Sequence, residues 1–299
     1  MHPSERAAIL AELCPPVLSY EPADHCVPFI FSSPHSGRIY PASFIASSRL
    51  NAQALRKSED CYVEELFAAA AGLGAPLIAA RFPRAYLDAN REPYELDPAL
   101  FRERLPDFAN TQSLRVIGGL GTIARIVAES EEIYRDRLTL DDAFERIDRL
   151  YKPYHATLAR LIEQTRRRFG IAVLIDCHSM PSINAASSGG VRPDIVLGDR
   201  FGASCDLGLT HLVRDACVAQ GYHVALNRPY AGGFITEHYG KPAMHVHALQ
   251  IEVNRALYMD EDTCVKTAGF EALQSSLAHI LGAVFHGLAN AIEPRAAAE

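Results

Sequence analysis

The sequence predicts an α/β fold, in which a sheet has helices on both of its faces. Strand-like apolar runs alternate along the chain with stretches of helical periodicity. One of these runs, residues 171–176, is apolar without alternation up to its last residue, Asp176, as expected for a buried central strand with parallel neighbours. The chain has 299 residues, of which 48% are hydrophobic and 22% charged, and this suits one large α/β domain.

In chain order, the first predicted strand is the short apolar run 27–32. Ser58 is of a helix-capping type, so a helix is predicted to begin there, with Glu59 and Asp60 in its first turn. Apolar side chains at 63, 66, 67 and 70 continue with helical spacing. Residues 75–82 are the next predicted strand.

Residues 141–169 have the longest helical pattern, and Pro153 is expected to kink or split that helix. After the strand at 171–176, strands are predicted at 194–198, 222–226 and 244–253, and helices at 207–220 and 262–288. We expect a single catalytic domain over residues 1–293 and a disordered tail over 294–299.

Composition disfavours several classes of protein. The net charge is −7, and the one basic run, residues 166–168, lies on a predicted helix, so nucleic-acid binding is not expected. No apolar run approaches the roughly 20 residues of a membrane span, and no signal peptide is recognised. The seven cysteines are scattered, which argues against a disulfide framework. A cytoplasmic location is therefore expected.

Four polar segments lie beside apolar runs: residues 34–37 (PHSG), 58–60 (SED), 176–179 (DCHS) and 250–255 (QIEVNR). They contain two histidines, one or two carboxylates of ligand type and a further carboxylate. A hydrolytic zinc site needs this set, namely three protein ligands, an open position for water and a base. Open α/β sheets place their sites at the carboxyl ends of strands, where His35, His178 and Glu252 are predicted to lie. If the four segments meet at one end of a sheet, the pattern predicts a metal-dependent amide hydrolase.

The candidate ligands also have ordinary structural interpretations. His178 could be a strand-end histidine bonded to a backbone carbonyl, and His35 could belong to a surface turn. Asp60 could act only as an acidic residue that interacts favourably with the helix dipole, and Glu59 is an alternative candidate for the ligand.

Glu252, the candidate base, could instead have a structural role and form a salt bridge with Arg255. A carboxylate inside an apolar strand is costly unless it is paired, protonated or functional. His245 and His247 share one face of the same predicted strand and are further possible ligands, although such residues more often line the sheet.

Two other motif-based interpretations, a dinucleotide fold and an α/β-hydrolase, are not supported by the sequence. Residues 119–124 fit G-x-G-x-x-A, but no strand followed by an acidic residue lies about 20 positions on, as a dinucleotide fold requires. The chain also lacks the G-x-S-x-G elbow of the α/β-hydrolases.

At these residues the chain resembles the N-formylglutamate amidohydrolase (deformylase) family. The matching stretches follow the family's order between about residues 25 and 260: SSPHSG (32–37), SEDCYV (58–63), YLDANREP (86–93), GLGTI (119–123), PYH (153–155), DCHSM (176–180), DIVLGD (194–199) and QIEVNR (250–255). The family is distantly similar to the zinc carboxypeptidases. This resemblance implies a mixed, largely parallel sheet sandwiched between helices, of the phosphorylase/hydrolase-like type.

The resemblance also implies the site. His35, Asp60 and His178 would hold Zn²⁺ or another divalent metal, and Glu252 would be the base. The implied reaction cleaves the formyl amide of N-formyl-L-glutamate, or of a similar N-formyl amino acid, to formate and the free amino acid. A zinc hydrolase of other N-acyl amino acids or small peptides, and a non-catalytic metal-binding protein of the same fold, are the alternatives.

The expected partner is a small-molecule N-acyl amino acid, with no nucleic acid and no membrane, and the protein is expected to be a monomer or homodimer. By the same resemblance Asn90 and Arg91 would bind the substrate carboxylate, since a guanidinium matches a carboxylate bidentately. Arg125 is a further candidate for substrate binding. The alternative for Arg91 is a structural pair with Asp88 or Glu92.

Overall fold

The computed structural model describes residues 3–127, 131–182 and 192–296. Its strands are β1 Val17–Tyr20, β2 Phe29–Ser33, β3 Leu77–Ala80, β4 Ala172–Met180, β5 Ile195–Gly198, β6 Val224–Leu226, β7 Val246–Asn254, β8 Met259–Asp260 and β9 Val265–Lys266. The first seven form one sheet in the order β1-β3-β2-β4-β7-β5-β6, and β8 pairs with β9.

The helices are α1 Pro3–Glu12, α2 Ala42–Ser47, α3 Ala52–Arg56, α4 Val63–Leu66, α5 Ala69–Gly72, α6 Leu114–Ile117, α7 Leu140–Arg146, α8 Lys152–Phe169, α9 Leu207–Ala219, α10 Phe234–Tyr239 and α11 Gly269–Ala296. A π-helical turn, Ile147–Tyr151, joins α7 to α8. Short polar side chains begin two of these helices: Thr139 caps α7 and Asp206 caps α9.

The sheet is mixed and largely parallel, and helices flank it, so the predicted fold class is confirmed. β4 lies at the centre and runs parallel to both β2 and β7. β5 pairs antiparallel with β7 and parallel with β6. Every residue of β4 and β7 is buried, and the first four residues of β4 are accordingly all apolar.

Contacts between Cα atoms divide the chain into two compact units made of interleaved segments. One contains residues 1–18, 34–61 and 78–159, and the other contains residues 19–33, 62–77 and 160–299. The single catalytic domain expected over residues 1–293 stays a prediction. Of the tail predicted to be disordered over 294–299, residues 294–296 belong to α11, and residues 297–299 lie outside the described residues.

The core of the second unit is aromatic on one face of β2. Phe29 and Phe31, two residues apart and therefore on the same face, both pack against Phe285 of α11, with ring centroids 4.6 and 6.2 Å away. Phe67 lies 6.2 Å from Phe31. These contacts bury the apolar side of the strand that precedes His35.

The prediction that a helix begins at Ser58 is wrong. Residues 58 and 59 lie in a turn and a bend, residue 60 is not helical, and α4 begins at Val63 after Tyr62, whose φ is +63°. The Asp60 backbone N–H donates instead to the carbonyl oxygen of His35, 3.0 Å away. This contact between distant parts of the sequence replaces the local capping signal.

Two other helical predictions differ in detail. The last helix begins at Gly269 and not at residue 262, because the preceding residues form β8, β9 and their turn. The helix predicted at 141–169 continues through this range and contains a π turn, Ile147–Tyr151, close to Pro153, where a kink or split was expected. Among the described residues, no helix has both the length and the apolar character that crossing a bilayer requires.

Candidate metal centre

His35 and Asp60 are held side by side within one unit. His35 lies in the turn that follows β2, and Asp60 lies in the bend before α4. Asp60 Oδ2 is 3.4 Å from His35 Nδ1, and each side chain is 2% exposed. Gly37 allows the turn to approach its neighbour, because a Cβ at this position would lie 2.0 Å from the carbonyl oxygen of Phe82.

A second carboxylate lies on the other side of the His35 ring. His35 Nε2 is 2.6 Å from Asp88 Oδ1, and Arg84 Nε donates to Asp88 Oδ2 at 3.0 Å. Burial alone would raise the pKa of Asp88, but the charges of Arg91, His35 and Arg84 hold it well below its usual range. An ionised Asp88 accepts a hydrogen bond from Nε2–H, and in that tautomer of the imidazole the lone pair is on Nδ1, on the side of Asp60.

His178 also has a carboxylate beside its Nε2 atom. Its Nε2 is 3.0 Å from Asp176 Oδ2, and Ser32 donates to Asp176 Oδ1 at 3.3 Å. In the parallel register, His178 lies beside Glu252, and Asp176 beside Gln250. All four side chains therefore share one face of the sheet. His178 and Glu252 lie inside their strands, since β4 and β7 each continue two residues beyond them.

The structure brings together three of the predicted ligands. One ligand atom from each of His35, Asp60 and His178 lies within 4.8 Å of the other two, and all three residues are buried. Two imidazoles and a carboxylate are donors that zinc takes in hydrolytic sites. Each imidazole also has a carboxylate on its second nitrogen, as metal-bound histidines almost always do. The group therefore fits a divalent metal.

Glu59 is engaged elsewhere. Arg56 donates to it through Nε and Nη2, at 3.0 and 3.1 Å, and the Tyr40 hydroxyl donates to Oε2 at 3.1 Å. Burial, together with the charge of Glu59, raises the pKa of Tyr40 well above its usual value, so the phenol stays a donor. Of the two neighbouring acids, Asp60 is the one that lies beside His35.

Glu252, the predicted base, is buried and held by Gln250. Gln250 Nε2 donates to Glu252 Oε1 at 2.8 Å, and Gln250 Oε1 accepts from the backbone N–H of Gly233 at 2.7 Å. A backbone N–H can only donate, so it fixes which end of the amide faces Gly233 and directs the amide hydrogens to Glu252. Arg255, the alternative partner, donates through Nε to Ser179 Oγ at 3.1 Å.

Cys177 lies between Asp176 and His178 in sequence but faces the other side of β4. Burial raises the pKa of the Cys177 thiol well above its usual value, and the charge of Asp176 raises it further. A thiol of this kind is not a nucleophile at neutral pH.

His245 and His247, the other two candidate histidines, do not belong to this group. His247 Nδ1 accepts a hydrogen bond from the backbone N–H of Asp206 at 3.1 Å, and burial lowers its pKa. His245 is exposed and precedes β7 with a φ of +57°. Neither belongs to a potential metal-binding group within the described residues.

Arg91 is buried in the first unit and makes two hydrogen bonds with backbone carbonyls. Nε donates to Leu120 at 3.0 Å and Nη1 donates to Asn90 at 2.9 Å. Asp88 Oδ2 lies 3.6 Å from Nε, so the structural pair considered from the sequence is present. Burial lowers the pKa of Arg91 to about 10, against the opposing effect of Asp88, and the guanidinium stays charged at neutral pH.

Arg125 takes part in ion pairs. Its Nε donates to Asp97 Oδ2 at 2.7 Å, and its Nη1 lies 3.5 Å from Glu132 Oε1. The hydrogen bond to Asp97 raises the pKa of Arg125. The side chain is 29% exposed, so one side of it remains accessible to a ligand.

Sequence reasoning missed the supporting residues Asp176 and Gln250. Each precedes a candidate, His178 or Glu252, by two positions in a strand, and this spacing places both on the same face. That signal was available. The contact of Asp88 with His35 had no such signal, since these residues are 53 positions apart.

Several known proteins of one family are similar to this chain in sequence and fold. The profile of the N-formylglutamate amidohydrolase family matches residues 27–259. Proteins named N-formylglutamate deformylase from Pseudomonas putida and Pseudomonas aeruginosa are each 31% identical over 238 residues, which is 79% of this chain and 83% of each relative. The crystal structure of N-formylglutamate amidohydrolase from Ralstonia eutropha JMP134 has a TM-score of 0.88 and 35% identity, and the match covers 93% of this chain and 99% of that one. The chain belongs to the N-formylglutamate amidohydrolase family.

Proposed function

We propose that this protein is a metal-dependent amidohydrolase that cleaves the formyl amide of N-formyl-L-glutamate to formate and glutamate. The observation that supports the chemistry is the buried group of His35, Asp60 and His178, with ligand atoms within 4.8 Å of one another. The names of the relatives support the substrate.

In this proposal His35, Asp60 and His178 hold Zn²⁺ or another divalent ion. When bound, such an ion supplies a Lewis acid that polarises the formyl carbonyl and makes water more acidic. Asp88 and Asp176 orient the two imidazoles through their Nε2 atoms.

Glu252 is the proposed general base and acid. Its carboxylate takes a proton from the attacking water as the oxygen adds to the formyl carbon. It then returns that proton to the amine nitrogen as the carbon–nitrogen bond breaks, so one water is consumed and formate and the amino acid are released. The Gln250 amide donates to Oε1 and so fixes the orientation of the carboxylate.

Substrate binding is proposed for Asn90, Arg91 and Arg125. The cationic guanidinium of Arg91 is fixed by its bonds to the carbonyls of Leu120 and Asn90, so little side-chain entropy is lost when a carboxylate binds. Arg125 is held by Asp97, and it offers a second cation for a substrate that has two carboxylates.

The test is a hydrolysis screen of the purified protein, reconstituted in turn with zinc, manganese and iron. N-formyl-L-glutamate, N-formyl-L-aspartate, N-acetyl-L-glutamate and simple dipeptides are compared by the release of formate or free amine. We expect the highest kcat/KM with N-formyl-L-glutamate and loss of activity after chelation. A preference for acetyl or peptide substrates would identify a related N-acyl hydrolase, and failure to bind any metal would indicate a non-catalytic member of the fold.

Replacing Gln250 by leucine is expected to lower kcat about tenfold with little change in KM, because Glu252 loses its orienting donor. Metal content should match that of the wild type. Gln274→Leu is the matched control, since it removes a comparable bond, from Nε2 to the carbonyl of Glu65 at 2.7 Å, elsewhere in the same unit. Equal kcat values for the two variants would show that Gln250 does not act on the base.

The proposal also keeps a cytoplasmic location and a monomeric or homodimeric state. Cell fractionation tests the location, and light scattering of the purified protein tests the oligomeric state.

A further inference from the structure

The long helical segment formed by α7, the π turn and α8 has an irregularity that the proposed chemistry does not use. The residues on either side of the π turn, Arg146 and Lys152, both have ordinary right-handed helical backbone angles, so the helix continues through it. A π turn contains one residue more than an α-helical turn. Such turns are rare in proteins and frequently lie at functional sites.

Side chains from this segment bond the backbone of residues 86–91, which lie in neither a helix nor a strand. A carbonyl can only accept, so the nitrogen or hydroxyl of the side chain donates in every case. Three carbonyls are bonded in this way: Tyr86 by Arg146 Nη1 at 3.0 Å, Ala89 by His155 Nε2 at 2.9 Å and Arg91 by the Tyr151 hydroxyl at 2.8 Å.

The extra residue of the π turn explains how these three side chains reach one segment. In a regular α-helix, residues five positions apart point about 140° away from each other, so Arg146 and Tyr151 would face different directions. A π turn closes i→i+5 bonds and places such residues one turn apart. Tyr151 and His155 are four apart, and their rings stack with centroids 4.1 Å apart.

The segment that is held in this way contains groups of the proposed site. Asp88 bonds His35 Nε2, and the backbone N–H of Asn90 donates to Asp88 Oδ1 at 2.8 Å. Arg91 Nη1 donates to the Asn90 carbonyl. A shift of this backbone would therefore move both the partner of His35 and the guanidinium proposed to bind substrate.

We propose that Tyr151 and His155 are positioning residues, aligned by the π turn, which fix residues 86–91 so that Arg91 meets the substrate carboxylate. This inference rests on the proposed function for its kinetic consequence. Its structural part, that the two side chains immobilise residues 86–91, stands on the hydrogen bonds alone.

The test uses the full chain with its metal restored and two readouts. The first is KM and kcat for N-formyl-L-glutamate, and the second is amide hydrogen exchange of a peptide covering residues 86–92. Tyr151→Phe and His155→Leu each remove one donor. His155→Gln keeps an N–H donor at that position, and Thr157→Val is the matched control, because it removes a hydroxyl bond to the Pro153 carbonyl in the same helix.

We expect Tyr151→Phe and His155→Leu to raise KM at least about tenfold, to change kcat less, and to speed exchange in residues 86–92. His155→Gln should return KM and the exchange rate most of the way to the wild-type values. Thr157→Val should have the KM and the exchange rate of the wild type. Wild-type KM or wild-type exchange in Tyr151→Phe and His155→Leu would overturn the inference.

If the wild type does not hydrolyse formylglutamate, the proposed function fails. The exchange measurement then still decides whether Tyr151 and His155 hold the segment.

Discussion

Replacing Glu252 by glutamine is expected to lower turnover by at least about 10²-fold while the protein keeps its metal. The variant has nearly the same shape and can still accept the hydrogen bond that Gln250 Nε2 donates to Oε1. What it loses is the ability to take a proton from water and return it to the leaving amine. The measurement is kcat from formate release, beside metal content by mass spectrometry.

A matched change on the surface separates this effect from the loss of a carboxylate in general. Glu163 pairs with Arg166 and Arg167 on α8, so Glu163→Gln removes one negative charge from an exposed ion pair. Its turnover should equal that of the wild type. Near-normal turnover of Glu252→Gln would reject Glu252 as the base, and the neighbouring carboxylates would have to be tested for that role.

Replacing His178 by alanine is expected to abolish stoichiometric metal binding. Only two of the three proposed ligands remain, and Asp176 loses the imidazole that it orients at 3.0 Å. We expect the affinity for zinc to fall by at least about 10²-fold. Loss of a residue that only hydrogen-bonds a metal ligand already lowers metal affinity about 10–100-fold. Because bound metal stabilises the folded state, added zinc should raise Tm of the wild type and not that of the variant.

His245→Asn is the control for this change. His245 is an exposed histidine with a φ of +57°, and asparagine tolerates that backbone conformation. The control should bind metal and respond to zinc as the wild type does. If His178→Ala retains one equivalent of metal, His178 is not a ligand, and the site has to be sought among other residues.

The strands were predictable because burial on both faces leaves an unmistakable pattern. All nine residues of β4 are buried, and its sequence is correspondingly apolar up to Asp176. The helix predicted at Ser58 failed for the opposite reason. Capping is a weak local signal, and the hydrogen bond from the Asp60 N–H to the His35 carbonyl outweighed it.

The candidate site was predictable in part. Polar residues inside or beside apolar strands are costly, so His178 and Glu252 were conspicuous in the sequence. The face they share with Asp176 and Gln250 follows from the two-residue period of a strand. Tyr151 and His155 were not predictable as a pair with Arg146, because their common orientation depends on the π turn.

The sequence by itself determined the alternation of strands and helices, the apolar character of the central strands and the set of chemical groups placed at their ends. These features are local, since each depends on the types and spacing of neighbouring residues. Only the tertiary structure decided that Asp60 and not Glu59 lies beside His35, and that Asp88 and Asp176 hold the imidazoles. These choices depend on contacts between residues far apart in the chain, 53 positions for His35 and Asp88, and on the competing ion pair that Glu59 makes with Arg56.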